Sequence, residues 1–356
     1  MSTIKLGEGP RNLALRQAAE RKAGKLIPKT VFIDITYKCN LGCLHCGLAP
    51  YLNQKKDEEL TFTEITRILD QIFKAGALGV SISGGEPLCR PDLLDILEYA
   101  NKIGLFFGVK TNGTLLTEAI ARTFKKLGVT VVHISLYGAT PEVHEYVTGI
   151  PGSFEKTIRA IEILKTNNVR TKLNTSIMKC NFHQDMEIKA LAERLGVPHH
   201  VDPLILPKYD QPGSADNLRI SDEQLRQLLI QRNWMNLDVT VFGDEPDGHI
   251  LCGGGRVSLS ISPYGEVFPC PVWHVPLGDL RQQSFENIWQ GEAVKRLRTI
   301  TINDFPHCIK CEFVKYCNRC PGLVYMENSD ISGPSPENCR LARAIKGVID
   351  DEESVR

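Results

Sequence analysis

Cys39, Cys43 and Cys46 stand on one short loop, with three and then two residues between them. The loop follows Val31-Phe32-Ile33-Asp34-Ile35-Thr36, a β-branched and apolar run that reads as a buried strand. Three thiolates on a tight loop can hold three irons of a four-iron four-sulfur cluster, leaving the fourth iron without a protein ligand and open to chemistry. Zinc is the competing reading, and it wants four tetrahedral ligands. His45 would have to be the fourth, yet it lies directly beside Cys46, where neighbouring side chains seldom converge on one metal.

A second group lies far downstream: Cys252, Cys270, Cys308, Cys311, Cys317, Cys320 and Cys339. Cys89 and Cys180 stand apart and read as buried or incidental thiols, with a hydrogen-donor role open to Cys180 just past the fifth expected strand. The N-terminus is polar and basic without a signal-like apolar stretch, and no apolar run approaches the roughly 18 residues of a membrane span. The expected location is the cytoplasm, where clustered cysteines are metal ligands rather than disulfides. Lys plus Arg and Asp plus Glu number 42 each, so net charge argues for neither nucleic acid nor an anionic membrane as partner.

These residues must be positioned by what surrounds them. A charge-rich helix is expected around Arg11 to Gly24, within an N-terminal extension of residues 1–30. From Val31 apolar runs alternate with amphipathic patterns, the mark of repeated βα units and a parallel sheet. Strands are expected near 31–36, 78–83, 105–110, 130–136, 170–177 and 200–206. Helices are expected near 62–75, 91–103, 116–127, 153–167, 184–195 and 221–235. The fold class is α/β, a partial barrel of six βα units over 31–235, followed by a small cysteine-rich domain over 236–356. The last barrel helix bridges the two. In the second domain Val257–Ile261 and Glu266–Phe268, joined by Ser262-Pro263-Tyr264-Gly265, form a β-hairpin, and a helix follows around Ser284 to Thr299.

Active sites of α/β barrels gather at the C-terminal ends of the strands, and further motifs sit there. The second strand runs into Gly84-Gly85-Glu86-Pro87, where paired glycines let the backbone approach a ligand and a carboxylate can accept bonds from an ammonium group. The third ends in Lys110-Thr111-Asn112-Gly113. On the fourth, alternation puts His133 and Ser135 on one face, with His133 a layer deeper as a hydrogen-bonded core histidine. Asn174 and Ser176 lie on the fifth.

The three-cysteine loop, with an aromatic before its last cysteine and Gly-Gly-Glu-Pro about forty residues on, resembles the signature of the radical S-adenosylmethionine (SAM) enzymes. The resemblance implies that the open iron is chelated by the amino and carboxylate groups of SAM. One electron then cleaves SAM to methionine and a 5′-deoxyadenosyl radical. It also implies SAM-binding roles for Gly84, Gly85, Glu86, Pro87, Asn112 and Ser135, with Asn174 and Ser176 as ribose contacts. Where many relatives carry a carboxylate-binding Arg, this chain has Thr148. The downstream cysteines resemble the SPASM domain, which binds two auxiliary four-iron four-sulfur clusters. The resemblance gives Cys308, Cys311, Cys317 and Cys339 to one and Cys252, Cys270 and Cys320 to the other, one protein ligand short. The departure is between Cys317 and Cys320, where two residues stand in place of the usual three.

The implied activity is hydrogen-atom abstraction from an unactivated carbon, with a ribosomal peptide as the leading substrate. The chain is similar in length to the pyrroloquinoline quinone peptide cyclases, which act with a separate small peptide-chaperone protein. The implied electron donor is a flavodoxin or ferredoxin. Tetrapyrrole side-chain processing, as in heme or heme d1 biosynthesis, is the alternative. A sulfatase-maturing activity is disfavoured, because Pro271 stands where that type carries an Asp. A non-catalytic iron-sulfur electron carrier would need neither the open iron nor Gly-Gly-Glu-Pro.

Overall fold

The computed structural model describes residues 24, 26–54, 58–233 and 252–355. The helix expected around Arg11 to Gly24 falls outside these residues, apart from Gly24 itself.

One nine-stranded sheet runs through the molecule in the order β6-β5-β4-β3-β2-β1-β7-β8-β9. Its first six strands are β1 (Thr30–Asp34), β2 (Gly79–Ser83), β3 (Phe106–Thr111), β4 (Val132–Ser135), β5 (Thr171–Ser176) and β6 (His199–Asp202). All five pairings among them are parallel. The helices α1 (Phe62–Lys74), α2 (Leu93–Ile103) and α3 (Glu118–Lys126) follow β1, β2 and β3. After β4 come α4 (Pro141–Thr148) and α5 (Ser153–Thr166), after β5 comes α6 (Asp185–Leu195), and after β6 comes α7 (Asp222–Gln231). Local chemistry sets these boundaries. Thr61 caps α1 in a reciprocal box with Glu64, and Ile65, Ile68, Leu69, Ile72 and Phe73 then line its buried stripe. The sixth strand is shorter than its apolar run suggests, because Leu204 N–H turns back onto the Asp202 carboxylate beside Pro203, which has no N–H to donate.

Each strand presents buried aliphatic residues to the helices: Val31 and Ile33, Val80 and Ile82, Val132 and Ile134. Register and alternation put Phe32 and Asp34, Ser81 and Ser83, Lys110, His133 and Ser135, Asn174 and Ser176, and His200 and Asp202 on the other face. A sheet covered on both faces by helices would be apolar on both. Here the inner face is polar, so it lines a lumen.

The hairpin is present as β7 (Ser258–Ile261) and β8 (Glu266–Phe268), with the short β9 (Gly278–Asp279) beside it. It does not stand off as a separate layer: β7 pairs in parallel with β1, so the cysteine-rich region extends the barrel sheet. The helix expected from Ser284 to Thr299 is two, α8 (Phe285–Trp289) and α9 (Glu292–Thr299), because Gly291 takes an extended conformation between them and caps the second. Three more follow, α10 (Pro306–Ile309), α11 (Pro321–Asn328) and α12 (Pro336–Val355). Leu341, Ile345 and Val348 of α12 pack with Leu225, Leu228 and Leu229 of α7, which bears out the bridging helix. Arg219 adds ion pairs to Glu327 at 3.1 Å and Glu337 at 3.4 Å.

Candidate functional site

The loop carrying Cys39, Cys43 and Cys46 leaves β1 and is pinned on three sides. On one side Gly85 N donates to Thr36 O and Glu86 N to Lys38 O, each at 2.8 Å. A Cβ on Gly84 would lie 2.3 Å from the Thr36 carbonyl oxygen and one on Gly85 2.4 Å from that of Lys38. The paired glycines therefore admit the cysteine loop itself, and Gly84 also needs its φ of +126°. On the second side Gly42 N donates to Thr148 O (2.9 Å) and Leu44 N to Val147 O (3.0 Å), so the loop rests on the C-terminal end of α4. The sequence reading missed this helix. Thr140-Pro141-Glu142 at its start and Gly149, left-handed just past its end, are the signals that could have found it. Thr148, at the expected carboxylate-binding position, is buried, and its hydroxyl pairs with Ser153 at 2.8 Å. On the third side Asn112 Nδ2 donates to Asn40 Oδ1 at 2.9 Å, tying the loop to the end of β3.

One expected role changes. Glu86 is fully buried, and its carboxylate is already used: Oε1 accepts from Thr111 Oγ1 (2.6 Å) and Leu88 N (3.0 Å), and Oε2 from Asn112 N (2.7 Å). Burial pushes its pKa up against these stabilising bonds. Glu86 is a strut between the β2 and β3 ends, and it does not line the cavity of the three thiols. Pro87 starts the 3₁₀ turn that follows and is buried.

The three thiols share a cavity of about 210 Å³ with His45, Ser83, Gly84, Gly85, Lys110, Asn112, Ser135 and Tyr137. Burial, with each other's charge adding to it, pushes the Cys43 thiol up to about 12, so free thiols here are costly to ionise and a cationic cluster core would offset that cost. His45 packs edge-on against Tyr137 at 4.6 Å, and burial lowers its pKa to about 4. It is therefore neutral, and its Nδ1 is a buried atom without a partner among the described residues. Such an orphan on the wall fits a cavity whose ligand has polar groups to offer. Asn174 does not line this cavity; its amide meets His133 Nδ1 at 3.1 Å deeper in the lumen, as the layering of His133 suggested. Ser176 shares that face by alternation, and its carbonyl accepts from Asn181. Cys180 packs with Tyr137, Val147 and Met178, and Cys89 opens onto an outer groove beside Arg90 and Asp92.

The second cysteine group is split in two. Cys308, Cys311, Cys317 and Cys339 line one apolar cavity of about 190 Å³ with Ile302, Phe313, Val314 and Arg319. Cys270 lies close enough to Cys252 and Cys320 that their charges, added to burial, raise it to about 12. Among the described residues no group of three or more His, Cys, Asp or Glu side chains is gathered tightly enough for a single metal ion. Thiols spaced around a cavity suit a multinuclear cluster better than the tight tetrahedron of zinc. Between the two regions runs a file of rings: Tyr37 and Tyr51 (6.3 Å), Tyr51 and Tyr209 (5.9 Å), Tyr209 and His274 (3.7 Å), His274 and Phe268 (4.5 Å).

Comparison with known proteins agrees with this geometry. Residues 33–195 match the model of the radical SAM superfamily, and residues 252–321 that of the SPASM iron-sulfur cluster-binding domain. The AdoMet-dependent heme synthase of Methanosarcina barkeri is 30% identical over 87% of this chain and 95% of its own length. The mycofactocin maturase MftC of Mycolicibacterium smegmatis is 30% identical over 85% of this chain and 81% of its own. In fold, the Streptococcus suis SuiB structure bound to S-adenosylmethionine superposes with a TM-score of 0.70 at 17% identity, covering 92% of this chain and 81% of that one. With a cysteine loop held against paired glycines at one end of the sheet and two further cysteine groups behind its hairpin, the chain belongs to the radical SAM superfamily, in the branch that carries a C-terminal SPASM domain.

Proposed function

We propose that the chain is a peptide maturase, in which Cys39, Cys43 and Cys46 hold the SAM-binding cluster and the second cysteine group holds two auxiliary clusters. The cofactors supply the one-electron chemistry and the hydrogen-abstracting radical. The chain's own residues do the positioning: Gly84 and Gly85 offer backbone to the methionine end of SAM, His45 and Tyr137 wall the cavity, and Ser135 and Asn112 rim it. Cys308, Cys311, Cys317 and Cys339 hold one auxiliary cluster. Cys252, Cys270 and Cys320 hold the other, with one iron left to a non-cysteine ligand or an exchangeable site.

The observation that carries the peptide reading is a second cavity, of about 390 Å³, where the lumen face continues along β8 and β9. Tyr37, Tyr51, Tyr264, Phe268 and His274 line it together with Asp210, Glu266 and Asp279. Its one Arg, Arg281, is turned to Glu64 at 3.0 Å. An aromatic and acidic wall suits peptide side chains, basic ones above all, and repels the carboxylates of a tetrapyrrole. The maturase named among the relatives supports the same reading. A tetrapyrrole side-chain activity is favoured by one observation, the Lys110 ammonium in the SAM cavity, which could receive a propionate, and by the heme synthase relatives.

The discriminating experiment supplies the anaerobically reconstituted enzyme with SAM, a flavodoxin or ferredoxin system and a deuterated candidate: a short peptide encoded beside the gene, with any small chaperone protein encoded there, or a decarboxylatable tetrapyrrole. Deuterium in 5′-deoxyadenosine from the peptide supports maturation. Transfer from the tetrapyrrole alone overturns it.

A further inference from the structure

Arg319 is one of the two residues in the shortened interval between Cys317 and Cys320, and it is only 2% exposed. Its guanidinium carbon lies over the Phe305 ring, 3.5 Å from the centroid. Nη2 is anchored by the carbonyls of Ile331 and Gly333, the latter at 2.9 Å. Its Nε and Nη1 are buried and have no partner among the described residues. Asp330, whose carboxylate feels this charge, is bonded instead to Ser332. A buried cation with unmade hydrogen bonds is costly unless something anionic meets it, and Arg319 lines the cavity of Cys308, Cys311, Cys317 and Cys339. Four thiolates around an iron-sulfur core leave the assembly net negative, with sulfurs that accept hydrogen bonds, and both features set its potential.

We propose that Arg319 turns one of its unpartnered donors, Nε–H or Nη1–H, to the cluster held by Cys308, Cys311, Cys317 and Cys339, and holds its reduction potential above the value those four thiolates alone would give. The inference rests on the ligand assignment made above. Because Phe305 and the two carbonyls fix the guanidinium plane before any cluster arrives, the donors are pre-oriented. The adjacent Cys320 belongs to the other cysteine group, so the cation stands between the two. Stabilising the reduced form on the four-cysteine side biases an electron shared by the pair toward that side.

Two measurements on the full-length reconstituted protein test this. Potentiometric titration followed by electron paramagnetic resonance should show that Arg319→Gln disfavours reduction of one auxiliary cluster about tenfold, a fall of about 59 mV for one electron. Arg319→Lys, which keeps the charge without the fork, should fall between. In unsubstituted protein carrying ¹⁵N-arginine, the reduced auxiliary cluster should show hyperfine coupling to ¹⁵N, a signature that a merely structural arginine would not give. Unchanged midpoints in an assembled Arg319→Gln protein, or no ¹⁵N coupling, overturn the proposal. If Arg319→Gln fails to assemble its clusters, the labelled protein decides. A wild-type protein that binds iron for fewer than the three clusters assigned above would overturn the ligand assignment itself, a result distinguishable from either.

Discussion

Glu86 offers a test of brace against ligand. In Glu86→Gln the amide nitrogen must face either Asn112 N–H or the Thr111 hydroxyl and Leu88 N–H, all of which now donate to the carboxylate at 2.6 to 3.0 Å. In the milder orientation one buried donor pair is left opposed, at about 1–3 kcal/mol, and relief of the carboxylate's burial offsets part of it. Glu86→Ala leaves three donors unmet, for a loss of roughly 3–9 kcal/mol before relaxation, against a typical total stability of about 5–15 kcal/mol. The assay is urea unfolding of the cluster-free protein, paired with SAM affinity in the reconstituted one. A strut predicts that the Gln variant loses stability without any cofactor present and that SAM binding weakens in step, because Gly84 and Gly85 lose their support. A Gln variant with unaltered cluster-free stability and a tenfold or greater loss of SAM affinity would refute the argument and return Glu86 to direct contact with the ligand.

Other outcomes follow from the same geometry. Replacing Cys39, Cys43 or Cys46 with Ala should abolish 5′-deoxyadenosine formation while iron analysis still finds the auxiliary clusters, since the two regions are held by separate residues; retained SAM cleavage under dithionite would misplace the site. Burial lowers the pKa of His144, His199 and His274 to about 4, so each contributes stability that is present above pH 6.5 and lost as pH falls through 4. For His144 that is about 3 kcal/mol, and His144→Gln should flatten the acid limb of a urea-midpoint profile. Cyanide or a small thiol should perturb the spectrum of the cluster at Cys252, Cys270 and Cys320 and spare the four-cysteine one, and indifference of both would mean that a protein group completes the first.

The ten spaced cysteines and the βα alternation were readable because each depends on local spacing or local period. What the sequence concealed was set by contacts distant along the chain. Glu86 read as a ligand for an ammonium because a carboxylate beside glycines is polar and reachable in one dimension, and only its partners at Thr111 and Asn112 reveal a strut. The glycines read as room for a cofactor, yet the atoms that exclude a Cβ belong to Thr36 and Lys38. Helix α4 was passed over because its eight residues, with His144 and Thr148 buried, carry little apolar stripe. Arg319 gave only an irregular spacing.

The pairing of β7 with β1 is the least readable feature and explains much of the arrangement. Strand β1 leads into the three-cysteine loop, carries β2 and its glycine turn on one edge, and carries the hairpin that ends at Cys270 on the other. One strand therefore fixes three groups of ligands relative to one another. Tyr209 adds a second tie: its backbone N–H donates to Gly47 O at 3.0 Å, next to Cys46, and its hydroxyl to Pro271 O at 2.6 Å, next to Cys270. The Pro271 carbonyl thus helps to hold a ring between two cysteine sites. On the lumen face β1 ends at Asp34, whose carboxyl is raised to about 7 by burial, tempered by Lys110.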